Sequence, residues 1–202
     1  MTTPPAAVPP EVRHLLSRVM QCSFLSKFTL AGGTSLALRF GHRISVDLDL
    51  FTNKSFNAEA LETSLCDHFD LAESSASKNT VTGMIEGIKT DFLAHRYPLL
   101  GEMEILDGYR LMAIEDVGAM KLNAIANRGR KKDFWDLAEL LQRFSFDEVL
   151  GFYKAKYGQR SVWNLQKSLS YFDDAESDPD PVDLKGRSWE QVKAEILRAN
   201  RL

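Results

Sequence analysis

"FTLAGGTSLALRFGHRISVDLDLF", residues 28–51, carries two features that decide the fold: a Gly-Gly-Thr-Ser turn and, shortly after it, two carboxylates two residues apart. "FTLAGG" reads as a short buried strand ending in glycines, and "TSLALRFG" as a helix closed by Gly41. "ISVDLDLF" alternates as a strand does, so its side chains point to opposite faces in turn. Val46, Leu48 and Leu50 share one face and are expected in the core, while Asp47 and Asp49 share the other. Two carboxylates on one face repel each other and resist desolvation. A divalent cation removes that cost, and Mg²⁺ favours one or two carboxylates completed by phosphate oxygens and water. Gly32 and Gly33 lack a Cβ, so an anion can approach the backbone there. Thr34 and Ser35 fall in the first turn of the following helix, whose free N–H groups and positive dipole end would face that anion. Together the two features form a seat for a metal-chelated triphosphate.

Outward from this unit, the Pro-rich opening Thr3 to Pro10 reads as a mobile leader, and Glu11 to Ser26 as an amphipathic helix with Val12, Leu15, Leu16, Val19 and Met20 at helical spacing. A helix is expected over Ala58 to Phe69, then a polar loop, "AESSASKN", then two paired strands, "TVTGMIE" and "GIKTDFLAH". From "IEDVGAMKLNAIANRG" onward every periodic segment is helical: Glu115–Asn127, Asp133–Arg143, Phe146–Tyr157, Ser161–Phe172 and Ser188–Asn200. The acidic stretch "DDAESDPDPVDLKG" reads as an exposed connector. The fold class is therefore α+β: a mixed domain with one small sheet over residues 1–108, then an all-helical domain over 109–202.

Bulk composition excludes several classes. The chain has 202 residues, 44% hydrophobic and 26% charged, in the ordinary globular range, with a net charge of −3 that points to neither a nucleic-acid nor a membrane partner. Any nucleic-acid contact must come from a local patch, and "RGRKK" supplies one in Arg128, Arg130, Lys131 and Lys132. Cys22 and Cys66 are too few for a disulfide framework and read as reduced core thiols of a cytoplasmic protein. No apolar run approaches the ~20 residues needed to span a bilayer. His14, His42, His68 and His95 are scattered without zinc-ligand spacing, and Phe134, Trp135, Tyr153, Tyr157 and Trp163 are expected to pack the helices.

Gly-Gly-Thr-Ser, followed after eleven residues by Asp-Leu-Asp, resembles the signature of the nucleotidyltransferase (DNA polymerase β-like) superfamily. "LAGGTSLALRFGHRISVDLDLF" is more closely similar to the AbiEii/AbiGii-type nucleotidyltransferase toxin family, whose Arg-x-Ser-x-Asp-h-Asp pattern is filled by Arg43, Ser45, Asp47 and Asp49. "IEDVGAMKLNAIANRGRKKDFWDLAELL" resembles the same family's helical segment and places its functional Lys and Asp on Lys121, Asp133 and Asp136. The resemblance covers Leu30 to Leu141. It implies a polymerase β-like fold and transfer of a nucleotide from a nucleoside triphosphate to an acceptor hydroxyl, with Mg²⁺ as cofactor. It also implies tRNA or another RNA as the favoured acceptor and a cognate antitoxin as partner.

On that resemblance Asp47 and Asp49 would hold metal, joined by Asp91 from "GIKTDFLAH", which shares a strand face with Lys89. Gly32, Gly33, Thr34, Ser35 and Arg43 would contact phosphates, and Lys121 would carry its charge across the cleft to the triphosphate or pair with Asp133 and Asp136. Those two, three apart on one helix, are expected behind or beside the metal ligands. Arg128, Arg130, Lys131 and Lys132 would touch the acceptor. Three rivals remain at this point: an enzyme placing a nucleoside monophosphate on a protein side-chain hydroxyl, a catalytically silent nucleotide-binding module, and a soluble α/β protein whose Asp-Leu-Asp is surface decoration.

Overall fold

The computed structural model describes residues 6–158 and 162–200. The start of the helix expected from Ser161, the first part of the Pro-rich leader and the side chain of Trp163 lie outside the described residues. The remainder of the leader is no loose tail: Ala7 and Val8 are fully buried, and the Ser45 N–H donates to the Ala7 carbonyl at 2.9 Å.

Helix α1 (Pro10–Gln21) takes Pro at its first turn, where a missing N–H is harmless, and buries the expected stripe Val12, Leu15, Leu16, Val19 and Met20. Strand β1 (Thr29–Leu30) runs into α2 (Gly32–Phe40), which Gly41 closes in the left-handed conformation at φ 58°. Strand β2 (Leu48–Thr52) and helix α3 (Ala58–His68) follow, the latter capped by the Asn57 side chain accepting from the Ala60 N–H at 3.0 Å. Strands β3 (Leu71–Ser77), β4 (Thr80–Ile85) and β5 (Ile88–Ala94) form an antiparallel meander. A hairpin of β6 (Glu104–Leu106) and β7 (Tyr109–Leu111) completes one seven-stranded mixed sheet in the order β3-β4-β5-β2-β1-β7-β6.

Four departures from the sequence reading have physical causes. "AESSASKN" is not a loop but most of the edge strand β3; an edge strand facing water needs no apolar alternation, and a bulge between Ala72 and Ser75 with an exposed Glu73 blunts it. Val46 is 50% exposed because β2 begins only at Leu48; Leu48 and Leu50 are the apolar residues of its buried face, which ends on Thr52. Cys66 is exposed and Cys22 only partly buried, so neither is a core thiol. Finally, β7 lies beyond residue 108 yet pairs in parallel with β1, so the sheet extends to Leu111.

The helical half comprises α4 (Ile114–Asn127), α5 (Lys131–Leu141), α6 (Phe146–Tyr157), α7 (Val162–Ser168), α8 (Asp173–Glu176) and α9 (Trp189–Asn200). α6 starts on a reciprocal cap between Ser145 and Glu148. One apolar core sits under the sheet around Leu30, Leu48, Leu50 and Phe92; another lies among the helices around Phe134, Trp135, Tyr153 and Trp189. Each such buried side chain contributes about 1.5–3 kcal/mol relative to exposure. Between them Ala31, Leu36, Met112, Val117 and Leu140 form a third cluster that fixes α4 and α5 against α2. Among the described residues no helix is long and apolar enough to cross a membrane.

Candidate active site

β2 and β5 run parallel with Asp49 directly opposite Asp91, so the two carboxylates stand side by side on the sheet face away from the core. Asp47 lies one residue before β2, and all three line one cleft of about 210 Å³ with Gly33, Lys89 and Lys121. Gly32, the first residue of α2, has φ +66°, and a Cβ there would sit 2.2 Å from the Asp49 Oδ2. No side chain larger than hydrogen fits between the helix start and that carboxylate. The first N–H groups of α2 carry no side-chain cap, which leaves them for an incoming anion.

The hydroxyls of this turn are spent inside the protein. Thr34 and Ser35 are buried; Thr34 Oγ1 lies 2.9 Å from Ser45 Oγ and donates to the Asp47 carbonyl, and Ser35 Oγ donates to the Gly32 carbonyl at 2.9 Å. The bonds from Thr34 tie the glycine turn to the strand entry, so what this turn can offer a phosphate is backbone N–H. Arg43 is likewise engaged: its Nε and Nη2 grip Asp136 Oδ1 and Oδ2 at 2.7 and 2.9 Å.

Asp136 is the hub of a buried network. Besides Arg43 it receives His42 Nε2 at 2.7 Å and Lys121 Nζ at 2.7 Å, and Lys121 also reaches Asp133 Oδ1 at 3.0 Å. Arg128 closes the far side, donating to both oxygens of Asp133 at 3.0 and 3.1 Å. Burial alone would raise Asp136, but the charges of Arg43 and Lys121 and the hydrogen bonds from His42 and Arg43 hold it well below the usual carboxylate range. Burial alone would lower Lys121; Asp136 and Asp133 reverse that and keep it a cation. The network thus fixes one positive charge at the floor of the cleft.

Asp49 is pushed the opposite way. Burial raises it, Lys121 opposes, and the neighbouring Asp91 and Asp47 charges add to the rise. Asp91 Oδ2 pairs with Lys89 at 3.2 Å, whereas its Oδ1 is buried with no hydrogen-bond partner. Asp47 Oδ2 already attracts a cation, Lys132 Nζ at 3.1 Å. A raised acid, an orphaned carboxylate oxygen and a lysine ammonium drawn to a third acid are the marks of a donor set that fits a divalent ion. Among the described residues no group of three or more Asp, Glu, His or Cys side chains is arranged to hold a metal ion by itself. Such a site takes its remaining ligands from phosphate and water, as Mg²⁺ does.

The basic turn divides in two. Arg130 and Lys132 line the cleft, while Lys131 is buried, pairs with Asp180 at 2.9 Å and packs over the Trp189 ring. The stretch expected as an exposed connector is indeed mostly exposed, and it also bonds across this face as a strap. Ile44 N–H donates to the Val182 carbonyl and Leu184 N–H to the His42 carbonyl, both at 2.9 Å. Asp183 accepts from Trp135 Nε1 at 2.9 Å, and Asp178 from the Lys131 N–H at 3.0 Å. His42 was missed in the sequence because it lies beside the Arg-x-Ser-x-Asp-h-Asp pattern and outside any spacing rule; its complete burial next to Asp136 is visible only in three dimensions.

Known proteins share this architecture. JHP933 from Helicobacter pylori superposes with a TM-score of 0.61 at 18% identity, over 94% of this chain and 87% of its own. MenT4, the nucleotidyltransferase toxin Rv2826c from Mycobacterium tuberculosis H37Rv, does so with a TM-score of 0.64 at 17% identity, over 93% of this chain and 79% of its own. Those likenesses concern the fold. In sequence, the Aquifex aeolicus (strain VF5) protein aq_aa25 is 36% identical over 193 residues, 91% of each chain. The family model described as "Nucleotidyl transferase AbiEii toxin, Type IV TA system" matches residues 14–105 and 104–202, nearly the whole chain. The protein belongs to the AbiEii nucleotidyltransferase toxin family.

Proposed function

We propose that this nucleotidyltransferase is Mg²⁺-dependent and moves a nucleoside monophosphate from a nucleoside triphosphate to an acceptor hydroxyl on RNA, with tRNA the leading acceptor, and that a separate antitoxin restrains it. The observation that carries this is the in-register pair Asp49 and Asp91, with Asp47 beside them, facing the uncapped start of α2 across a glycine too close for a side chain.

In this reading Asp47, Asp49 and Asp91 hold the metal, which when bound would neutralise the triphosphate and the charge that builds on it during transfer. The first N–H groups of α2 bind phosphate oxygens, and the Gly32 and Gly33 backbone permits the approach. The acceptor oxygen forms a bond to the α-phosphorus, the bond to the β-phosphate oxygen breaks, and pyrophosphate leaves. Asp91, whose unpartnered Oδ1 is left for the metal, also helps activate the acceptor hydroxyl, and its carboxylate takes the proton released there. Lys121, held by Asp133 and Asp136, keeps a fixed charge under the phosphates without reorganising. Arg43 acts through Asp136 and not on phosphate. Lys89, Arg130 and Lys132 at the cleft favour a polyanionic acceptor, which supports RNA over a protein hydroxyl.

The test incubates the pure protein with each labelled triphosphate, total RNA and RNA-depleted lysate, with Asp47→Ala/Asp49→Ala as the blank. Label entering RNA and absent from the blank is the expected result. Label in protein would move the assignment to the protein-modifying reading, and triphosphate binding without product to a silent module.

A further inference from the structure

A second cavity, of about 470 Å³, opens from the carboxylate cleft and shares Asp49, Lys121 and Arg128 with it. That volume falls in the roughly 300–1,000 Å³ range of small-molecule pockets. The strands that carry the acids also build it. Phe51 follows Asp49 on the same face of β2, and His95 lies just past the end of β5, where its N–H donates to the Thr52 carbonyl at 2.8 Å and extends the pairing. Two residues along from Asp49 on β2, and four along from Asp91 on β5, the sheet therefore changes from carboxylate to ring.

Phe51 and His95 stand edge-to-face with ring centroids 5.9 Å apart, and His95 meets Tyr157 of α6 at 5.7 Å. The Tyr157 hydroxyl and His95 Nε2, 2.8 Å apart, lock the two rings together. Both are neutral at physiological pH: burial and the Lys156 charge push His95 down to about 4, and burial pushes the Tyr157 hydroxyl up. The opposite wall is α4, which supplies Met120 and two amides one turn apart, Asn123 and Asn127. Asn127 Nδ2 donates to the Asn123 carbonyl at 2.7 Å and to Asn123 Oδ1 at 3.3 Å. That bond orients the pair so that the Asn123 amino group and the Asn127 oxygen remain for a ligand.

We propose that the base of the nucleoside triphosphate occupies this cavity, packed against Phe51 and the His95–Tyr157 pair, and that Asn123 and Asn127 read its hydrogen-bonding edge and set which nucleotide is used. The proposal rests on the nucleotidyl-transfer reading, because the phosphates must lie over Asp49 for the base to reach the rings. A neutral ring wall gives sequence-tolerant stacking, and the amide pair on the far wall offers one donor group and one acceptor, the minimum for choosing among bases. In sequence Phe51, Asn123 and Asn127 are ordinary residues of their elements. Only the junction of β2, β5, α4 and α6 gathers them.

The experiment measures equilibrium binding of ATP, GTP, CTP, UTP and inorganic tripolyphosphate in Mg²⁺ buffer, with no acceptor present, to the native chain and to Phe51→Leu and Asn123→Ala. Phe51→Leu keeps apolar volume and loses the ring face, and thermal melts of both variants verify folding. The expected result is a preferred nucleotide that binds more tightly than tripolyphosphate. Phe51→Leu should weaken the nucleotides roughly 5- to 100-fold, the loss of one stacked ring, and leave tripolyphosphate unchanged. Asn123→Ala should flatten the preference among the four bases. Equal affinity for nucleotides and tripolyphosphate, or equal loss for both in Phe51→Leu, would overturn the base pocket while leaving the phosphate site standing. Failure of every ligand, tripolyphosphate included, to bind the native chain would overturn both readings.

Discussion

Replacing Asp136 by Asn keeps the shape of the network hub and removes its charge. In the native protein three donors converge on this fully buried carboxylate: His42, the Arg43 fork and Lys121. With Asn there, Arg43 loses its charged partner, and Lys121 keeps only Asp133. Removing one member of a buried ion pair typically costs about 3–5 kcal/mol, because the surviving charge stays desolvated. At about 2–4 °C per kcal/mol for a chain of this size, the melting temperature should fall by about 6–20 °C. The sign of the pH dependence follows from the depressed acid. Asp136 stabilises the fold above its unfolded value, and that contribution is lost as pH falls through its lower folded value. Asp136→Asn lacks this contribution, so the gap between variant and native protein should be widest near neutrality and narrow in acid. Denaturant unfolding followed by the fluorescence of the stacked Trp135 and Trp189 reads both quantities. A cost below about 1 kcal/mol, or a gap that stays constant into acid, would refute a charge-bound hub.

Asp49→Asn should do the reverse for stability. Its carboxyl is raised by burial, so the native chain loses stability as pH climbs from the unfolded value through the raised folded one, and the neutral amide avoids that loss. Melts at neutral pH should show equal or greater stability than native, while nucleotide transfer falls at least ~100-fold, the scale of removing one preorganised electrostatic contact. Gly32→Ala should cost about 1–3 kcal/mol at a position with φ +66°, and its Cβ would displace the Asp49 carboxylate; unfolding and transfer assays should fall together, and a variant of native activity would sink the close-approach argument.

Much of this arrangement is legible in one stretch of sequence. Alternation from Leu48 to Phe51 separates core from cleft, and Gly41 marks the end of α2. What local pattern misses is whatever depends on a distant partner. The hydroxyls of Thr34 and Ser35 look available in sequence, yet the fold brings Ser45 and the Asp47 carbonyl to the first and the Gly32 carbonyl to the second. Lys131 reads as one more cation in a basic turn, but Asp180 and Trp189 bury it. β3 carries no apolar repeat because its side chains are mostly exposed, and His42 becomes important through a residue 94 positions away.

The strap over residues 42–44 also has a meaning for synthesis on the ribosome. A nascent chain can complete all seven strands by Leu111 and already juxtapose Asp49 with Asp91. It cannot anchor Arg43 until Asp136 has emerged, nor close the backbone bonds to Val182 and Leu184 until those residues have followed. A fragment ending before Asp136 would therefore lack the partner that holds Arg43 and Lys121 in the cleft floor. In a member of a toxin family, completion of the candidate centre thus waits on residues that come well after the strands in chain order.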